Sequence, residues 1–161
     1  MNSQKEIRRG YEILPEMKKV WSVEIELLRK LLDVCKRYNL KIFAEGGTLL
    51  GAIREHGFIP WDDDIDMAMP REDYDKLREL ASAEFKSPYF FQCGYTDIFP
   101  NGITRLRKDG TAAITYKSIY DRCHQGIFID IFPLDSIPDE KSECERFVKE
   151  IVKSSKIKLI N

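Results

Sequence analysis

The segment Trp61–Met69 contains the residues best suited to chemistry in this sequence. It places four aspartates within five positions, Asp62, Asp63, Asp64 and Asp66, and continues into alternating apolar residues. Successive side chains of a β-strand point to opposite faces, so Asp64 and Asp66 would lie side by side. Clustered carboxylates repel one another unless a cation neutralises them, and hard divalent cations prefer oxygen ligands. The pattern therefore predicts a Mg²⁺ (or Mn²⁺) site that serves phosphate chemistry.

A glycine pair precedes the acidic segment. Gly46 and Gly47 follow a short apolar run, and a short helix is predicted at Leu49–Arg54, with Thr48 at its first turn. The first N–H groups of a helix have no partner within the helix, so a helix start offers donors to a phosphate. We expect Gly46, Gly47 and Thr48 to bind substrate phosphates, with Arg54 as a further candidate.

A third acid, Asp130, lies at the centre of a later apolar strand. A lone buried carboxylate is unfavourable, so Asp130 requires either a partner or a metal. Asp130 is therefore a candidate metal ligand. Arg105 and Arg107 share one face of another predicted strand, an arrangement suited to binding a diphosphate.

Two other ligand sites fit the sequence less well. An EF-hand calcium loop would need glycine at the position of Met67 and glutamate at that of Asp73. A P-loop would need lysine after Gly51, where Ala52 stands. Without its surroundings the acidic run would most often be a solvated turn, and the glycine pair and Asp130 are what favour a metal site.

Hydrophobic periodicity predicts the elements that position these residues. Apolar residues recur with a period close to 3.6 over Pro15–Tyr38 and Arg71–Phe85, which indicates two amphipathic helices, and a last helix starts at Ser142. Glu24 falls within the apolar stripe of the first helix, so we expect it to have a polar partner or to lie where the stripe meets solvent. Strands are predicted at 40–44, in the acidic segment before Pro70, and at 88–92, 103–107, 111–115 and 127–132. These elements predict an α+β protein.

Composition narrows the class of protein. A length of 161 residues with 43% hydrophobic and 33% charged residues indicates one ordinary domain with a core. A formal net charge of −1 argues against nucleic acid as a partner. No apolar run approaches the roughly 20 residues that span a bilayer, and the start has no signal-peptide core. We therefore expect a cytoplasmic protein without a transmembrane segment.

The order of these motifs is similar to that of the nucleotidyltransferase superfamily. A strand, a Gly-Gly-Thr helix start, an Asp-x-Asp strand and a third strand with an aspartate follow one another. The segments Glu45–Arg54 and Gly57–Asp66 resemble the signature of the LicD family, which includes the fukutin-related proteins. The resemblance extends to Gly126–Asp135. It implies a nucleotidyltransferase-like fold, with a central mixed β-sheet flanked by helices, over a single domain of residues 1–161. Because LicD proteins usually continue further, that domain would lack their C-terminal part.

The resemblance also implies an activity. LicD-type phosphotransferases move phosphocholine, or in relatives an alditol phosphate, from a CDP-linked donor to a sugar of a cell-surface glycan or of a lipid-linked acceptor. Asp64 and Asp66 would then bind Mg²⁺, and Asp130 would be a further metal ligand or the base for the acceptor hydroxyl. Two alternatives stay open, which are nucleotidyl transfer that releases pyrophosphate from a triphosphate, and nucleotide binding without catalysis. We also expect Trp61 to pack beneath the acidic strand.

Overall fold

The computed structural model describes residues 5–97 and 103–157. This part of the chain contains four helices and seven strands. In chain order they are β1 (Glu6–Arg8), β2 (Tyr11–Ile13), α1 (Pro15–Arg37), β3 (Phe43–Ala44), α2 (Gly46–Arg54), β4 (Asp66–Pro70), α3 (Arg71–Glu84), β5 (Tyr89–Gln92), β6 (Thr104–Lys108), β7 (Phe128–Leu134) and α4 (Lys141–Ile157). The predicted α+β class is confirmed. None of the helices in this part is both long enough and apolar enough to cross a membrane.

Five strands form one mixed sheet in the order β3, β4, β7, β6, β5. The central pair β4 and β7 is parallel, and the other neighbours are antiparallel. Strands β1 and β2 form a separate hairpin. Pairing β4 with β7 joins two segments that are about sixty residues apart in the chain, so the acidic motif and Asp130 meet at the middle of the sheet.

Helices α1 and α3 pack their apolar faces onto one side of this sheet. Leu31 of α1 and Leu77 of α3 are 0% exposed, and both belong to one core with Met67 of β4 and Ile129 of β7. Because strand side chains alternate, the residues between these core positions point to the opposite side. That opposite side carries the polar residues that the sequence singles out.

The strand predicted at 111–115 is wrong. Residues 111–115 form an irregular loop, although Gly110 does adopt the turn conformation expected there, with φ at 73°. The reason is that β6 pairs with β5 along one edge and with β7 along the other, so no edge is left for a hairpin partner. The Thr111 hydroxyl instead donates to the Lys108 carbonyl at 2.7 Å and accepts from the Ile127 N–H at 2.8 Å.

The hairpin β1–β2 has no counterpart among the predicted elements. Its strands are only three residues long, which is too short for an alternating pattern to identify them as strands. It is held by long-range contacts instead. Arg8 donates to the Phe58 carbonyl at 3.1 Å, and Glu6 pairs with Lys18 at 2.8 Å.

An ion pair joins the C-terminal ends of α1 and α3 and makes stability depend on pH. Arg37 donates two hydrogen bonds to Glu84, at 3.1 and 2.6 Å, and the Tyr38 hydroxyl donates a third at 2.6 Å. These donors hold the pKa of Glu84 down, to about 2, against 4.5 for an ordinary glutamate. A depressed carboxylate pKa stabilises the fold above the unfolded-state pKa, and that contribution is lost as pH falls through the folded-state pKa.

We predict that Glu84→Gln lowers the melting temperature at pH 7. The difference from the unsubstituted chain should close between about pH 4.5 and 2, because there the wild-type carboxylate is itself becoming protonated. Thermal unfolding followed by circular dichroism at a series of pH values measures this. Glu79→Gln, at an exposed position of the same helix, is the control and should change the melting temperature little. A difference that persists unchanged down to pH 2 would contradict the assignment.

Candidate active site

Three neighbouring strands bring two acids and an arginine side by side. Asp66 of β4 is in register with Asp130 of β7, and Asp130 is in register with Arg105 of β6. Residues directly opposite each other in adjacent strands project to the same face of the sheet. Their side chains therefore form a row, which we call the acidic row, on the side away from α1 and α3.

Asp130 has the partner that a buried carboxylate requires. Its side chain is nearly buried, and Arg105 donates from Nε to Oδ1 at 2.6 Å and from a terminal nitrogen to Oδ2 at 3.4 Å. The guanidinium carbon of Arg105 also lies 3.8 Å from the centre of the Phe128 ring, which supports it from one side. Arg105 thus brings a positive charge to the acidic row.

The other two predicted arginines lie elsewhere. Arg107 does share a face of β6 with Arg105, but it is 3% exposed and donates to the Gln92 side chain and the Gly126 carbonyl. Burial lowers the pKa of Arg107 to about 10. Arg54 lies at the opposite end of α2 from Gly46, about 12 Å along the helix axis, and bonds to Glu55. The structure therefore brings Arg105 to the acidic row, and not Arg54.

Helix α2 begins directly against the acids. Gly46 has a φ of 53°, which favours glycine, and a Cβ at Gly47 would lie 2.3 Å from an Asp62 carboxylate oxygen. The Thr48 hydroxyl accepts a hydrogen bond from the Asp66 N–H at 2.8 Å. The helix starts at Gly46, three residues earlier than the sequence indicates, so its free N–H groups and the carboxylates face a common space.

Like charges crowd this space. The pKa of Asp66 is raised to about 6, first by burial and then by the charges of Asp64 and Asp130. The pKa of Asp64 is also raised, by burial and then by Asp62 and Asp63, while Arg105 opposes the shift. A bound cation would reduce the repulsion between carboxylates arranged in this way.

Asp64 lies in the segment 62–64 that connects the turn at Pro60–Trp61 to the strand, and we call this segment the acidic turn. Strand β4 begins at Asp66, so the prediction that Asp64 and Asp66 both belong to the strand is wrong, although Ile65 between them is buried and the two acids are both half-buried. Carboxylate oxygens of Asp62, Asp63 and Asp64 lie within 4.8 Å of one another. The sequence already made Asp62 a weaker candidate ligand, and the structure adds Asp63 to the carboxylates that could hold a metal.

The residue beneath the acidic turn is Trp21, and the prediction for Trp61 is wrong. Trp21 is 2% exposed, stacks on Phe58 with ring centres 4.7 Å apart, and donates from Nε1 to the Asp62 carbonyl at 2.9 Å. Trp61 is 52% exposed and meets Tyr11 edge-on. The space below the turn is filled by α1, so Trp61 is directed outward.

Glu24 was expected to have a polar partner or to reach solvent, and this expectation is also wrong. It is 2% exposed, and its Oε2 atom has no hydrogen-bond partner. Burial, followed by the charges of Asp64, Asp63 and Asp62, raises the pKa of Glu24 to about 8. Its place within an apolar helical stripe was the sequence signal that marked it as unusual.

Comparison with known proteins identifies the family of this domain. Residues 39–155 match the family described as LicD/FKTN/FKRP, nucleotidyltransferase domain. The match covers most of the chain and includes the glycine pair, the acidic turn and Asp130. This chain therefore belongs to the LicD/FKTN/FKRP family, as the sequence motifs predicted.

Individual relatives are longer than this chain. It is 35% identical to the lipopolysaccharide cholinephosphotransferase LicD of Haemophilus influenzae over 107 residues, which are 66% of this chain and 40% of that protein. It is 38% identical to a protein of Rickettsia prowazekii over 114 residues, 71% of this chain and 40% of the relative. It is 37% identical to the ribitol 5-phosphate transferase FKRP of Homo sapiens over 59 residues, 37% of this chain and 12% of that enzyme.

Proposed function

We propose that this domain has a nucleotidyltransferase-like fold and is a metal-dependent phosphotransferase. It moves a phosphorylated headgroup, with phosphocholine as the first candidate, from a CDP-linked donor to a sugar hydroxyl of a glycan or a lipid-linked acceptor. The observation that carries the proposal is the start of α2 set against the acidic row of Asp66, Asp130 and Arg105. Two named relatives transfer phosphocholine and ribitol 5-phosphate, which supports this class of reaction.

The carboxylates suit a hard divalent cation such as Mg²⁺ or Mn²⁺. Asp64, Asp66 and Asp130 offer only oxygen atoms, and burial and mutual repulsion raise the pKa values of Asp64 and Asp66. A carboxylate oxygen has two lone pairs, so the contact with Arg105 leaves Asp130 able to bind a cation. When bound, the cation would supply neutralisation of charge on the phosphate oxygens of the donor.

The protein groups around this site have separate roles in the proposed reaction. Free backbone N–H groups at Gly47 and Thr48 bind the diphosphate of the donor. The Thr48 hydroxyl holds the Asp66 backbone and so fixes the helix start relative to the strand. Arg105 orients Asp130 and adds a positive charge next to the diphosphate. Catalysis of this kind depends mainly on positioning and on charge stabilisation.

The reaction products distinguish this proposal from its alternatives. We would incubate the chain with Mg²⁺ and either CDP-choline, CDP-ribitol or CTP, and separate the nucleotides by chromatography. Phosphotransfer, to a sugar or to water, releases CMP from the CDP-linked compounds. Nucleotidyl transfer instead releases pyrophosphate from CTP. If CDP-choline raises the melting temperature but neither product forms, the domain binds nucleotide without catalysis.

A further inference from the structure

An open cavity of about 460 Å³ lies on the α1 side of the acidic turn. Its walls come from α1, α2, the loop at 56–58 and strand β1. Cavities of this size hold small organic molecules. The acidic row lies on the opposite side, away from α1. Thr48 borders both places, because it lines the cavity while its hydroxyl accepts from the Asp66 N–H.

Apolar side chains form most of the cavity wall. Trp21, Ile25 and Leu28 follow one another along one face of α1, and Phe58 and Ile65 complete this wall. The rings of Trp21 and Phe58 stack with their centres 4.7 Å apart. An apolar ligand in contact with these side chains would remove apolar surface from water, which is favourable. The cavity therefore suits a ligand with an apolar body.

The lysine and the arginine of the cavity lie near the start of α1. Lys18 is in the first turn of that helix, and Arg8 and Glu6 are on β1. Glu6 pairs with both cations, with Arg8 Nε at 2.9 Å and with Lys18 Nζ at 2.8 Å. One carboxylate thus balances two cations, so these three residues together carry one net positive charge.

This positive charge and the apolar wall are arranged along one direction. Leu28 lies ten residues after Lys18, roughly 15 Å along the axis of α1. Lys18 is only 7% exposed, so water screens its charge weakly. An anionic group is therefore favoured at the end of the cavity near Lys18, and an apolar chain is favoured along the rest of it.

We propose that this cavity binds an amphipathic anion, which has an aliphatic chain and a carboxylate or phosphate head group. The chain lies along the apolar face of α1, and the head group contacts Arg8 and Lys18. Trp21 also donates to the Asp62 carbonyl, so the bound chain contacts a side chain that holds the acidic turn. The inference does not depend on the proposed reaction, since binding requires neither a metal nor a CDP-linked donor.

Quenching of Trp21 fluorescence tests this site directly. The chain has two tryptophans, and a Trp61→Phe background leaves Trp21, which lines the cavity, as the emitter. Bromine quenches tryptophan emission on contact, so the probe is decanoate brominated at the end of its chain, below its micelle concentration and without metal or nucleotide. We expect saturable quenching that ordinary decanoate reverses. Quenching that rises in proportion to the probe without saturating would overturn the proposal.

Competitors with the same chain length identify the head group. Decanoate and decyl phosphate should displace the probe about tenfold more effectively than decanol, because only the anions gain a charge-assisted hydrogen bond. Decyltrimethylammonium should be the weakest competitor. Stronger displacement by decyl phosphate than by decanoate would assign a phosphate head group, and the reverse order would assign a carboxylate. Decanol or the ammonium compound competing as well as both anions would overturn the proposal.

Variants then assign the residues. Ala52→Phe puts a larger side chain into the cavity wall and should weaken probe binding by about tenfold or more. Lys18→Gln should weaken binding of decanoate by about tenfold but leave that of decanol within about twofold. Ala83→Phe and Lys76→Gln, at exposed positions of α3, are the matched controls and should bind normally.

Circular dichroism shows whether each variant is folded. If Lys18→Gln does not fold, the comparison of Ala52→Phe with Ala83→Phe decides the test alone. Unchanged probe affinity in the folded Ala52 and Lys18 variants would overturn the proposal.

Discussion

Asp66→Asn is expected to reduce CMP release from a CDP-linked donor by about 10³-fold or more while the chain stays folded. The substitution removes a charged oxygen ligand at the centre of the acidic row, where metal binding is worth several kcal/mol, and each 1.36 kcal/mol of barrier corresponds to a factor of ten. Stability should hold or rise, because burial and the neighbouring Asp64 and Asp130 already disfavour a charge at this position. Initial rates of CMP release and the melting temperature, measured on the same sample, test both parts.

Asp66 is a cleaner choice for this test than Asp130. Removing the charge of Asp130 would break its largely buried ion pair with Arg105, so lost activity could reflect a disturbed sheet. Asp139→Asn, at an exposed position, is the matched control and should keep full activity. Asp66→Asn with activity close to that of the unsubstituted chain would count decisively against the proposed metal site.

Gly51→Ala should destabilise the fold by about 2 kcal/mol. A Cβ at Gly51 of α2 would lie 2.5 Å from the Gly57 carbonyl oxygen and 3.2 Å from the Ile59 nitrogen, so it would meet backbone that cannot rotate away. Overpacking of this kind costs about 1–3 kcal/mol and occasionally more, which outweighs the roughly 0.5–1 kcal/mol that alanine gains over glycine within a helix. Because the loop that contains Gly57 and Ile59 leads into the acidic turn, donor binding should weaken as well. Urea unfolding measures the change in free energy.

Gly57→Ala provides a control six residues away. A Cβ at Gly57 would have no atom within 4 Å, and its φ lies outside the range that favours glycine. The substitution should therefore be neutral, or stabilise slightly by restricting the unfolded chain. If Gly51→Ala were as stable as Gly57→Ala, then the close packing of α2 against the following loop would not be required for the fold.

Local pattern was sufficient to predict the two long helices and the motif. Helices α1 and α3 were predicted at Pro15–Tyr38 and Arg71–Phe85 and end one residue earlier in the structure. An apolar period of 3.6 is a property of the chain itself, since any helix with that period must bury one face. The motif from Glu45 to Asp66 is equally local, and it resembles the signature of the family to which the chain belongs.

The pairing of residues that are far apart in the chain was decided only by tertiary structure. The register between β7 and β6 places Arg105 next to Asp130, and Arg107 lies in the interior. The strand pattern of the sequence does not distinguish the two arginines, since both lie on the same face of β6. Both edges of β6 are paired with other strands, so the segment after Gly110 cannot pair with β6 as the sequence predicts. Strand pairing depends on which segments meet across the whole sheet, so periodicity within one segment does not contain it.

The sequence by itself therefore determined which acids and glycines could act on phosphate, and the α+β class of the fold that holds them. Only the tertiary structure decided which charges neutralise one another. It placed Arg105 in an ion pair with Asp130, and it buried Glu24 with one carboxylate oxygen that has no hydrogen-bond partner. The physical reason is that the free energy of a charge depends on burial and on neighbours within a few ångströms, and folding brings these neighbours from distant parts of the chain.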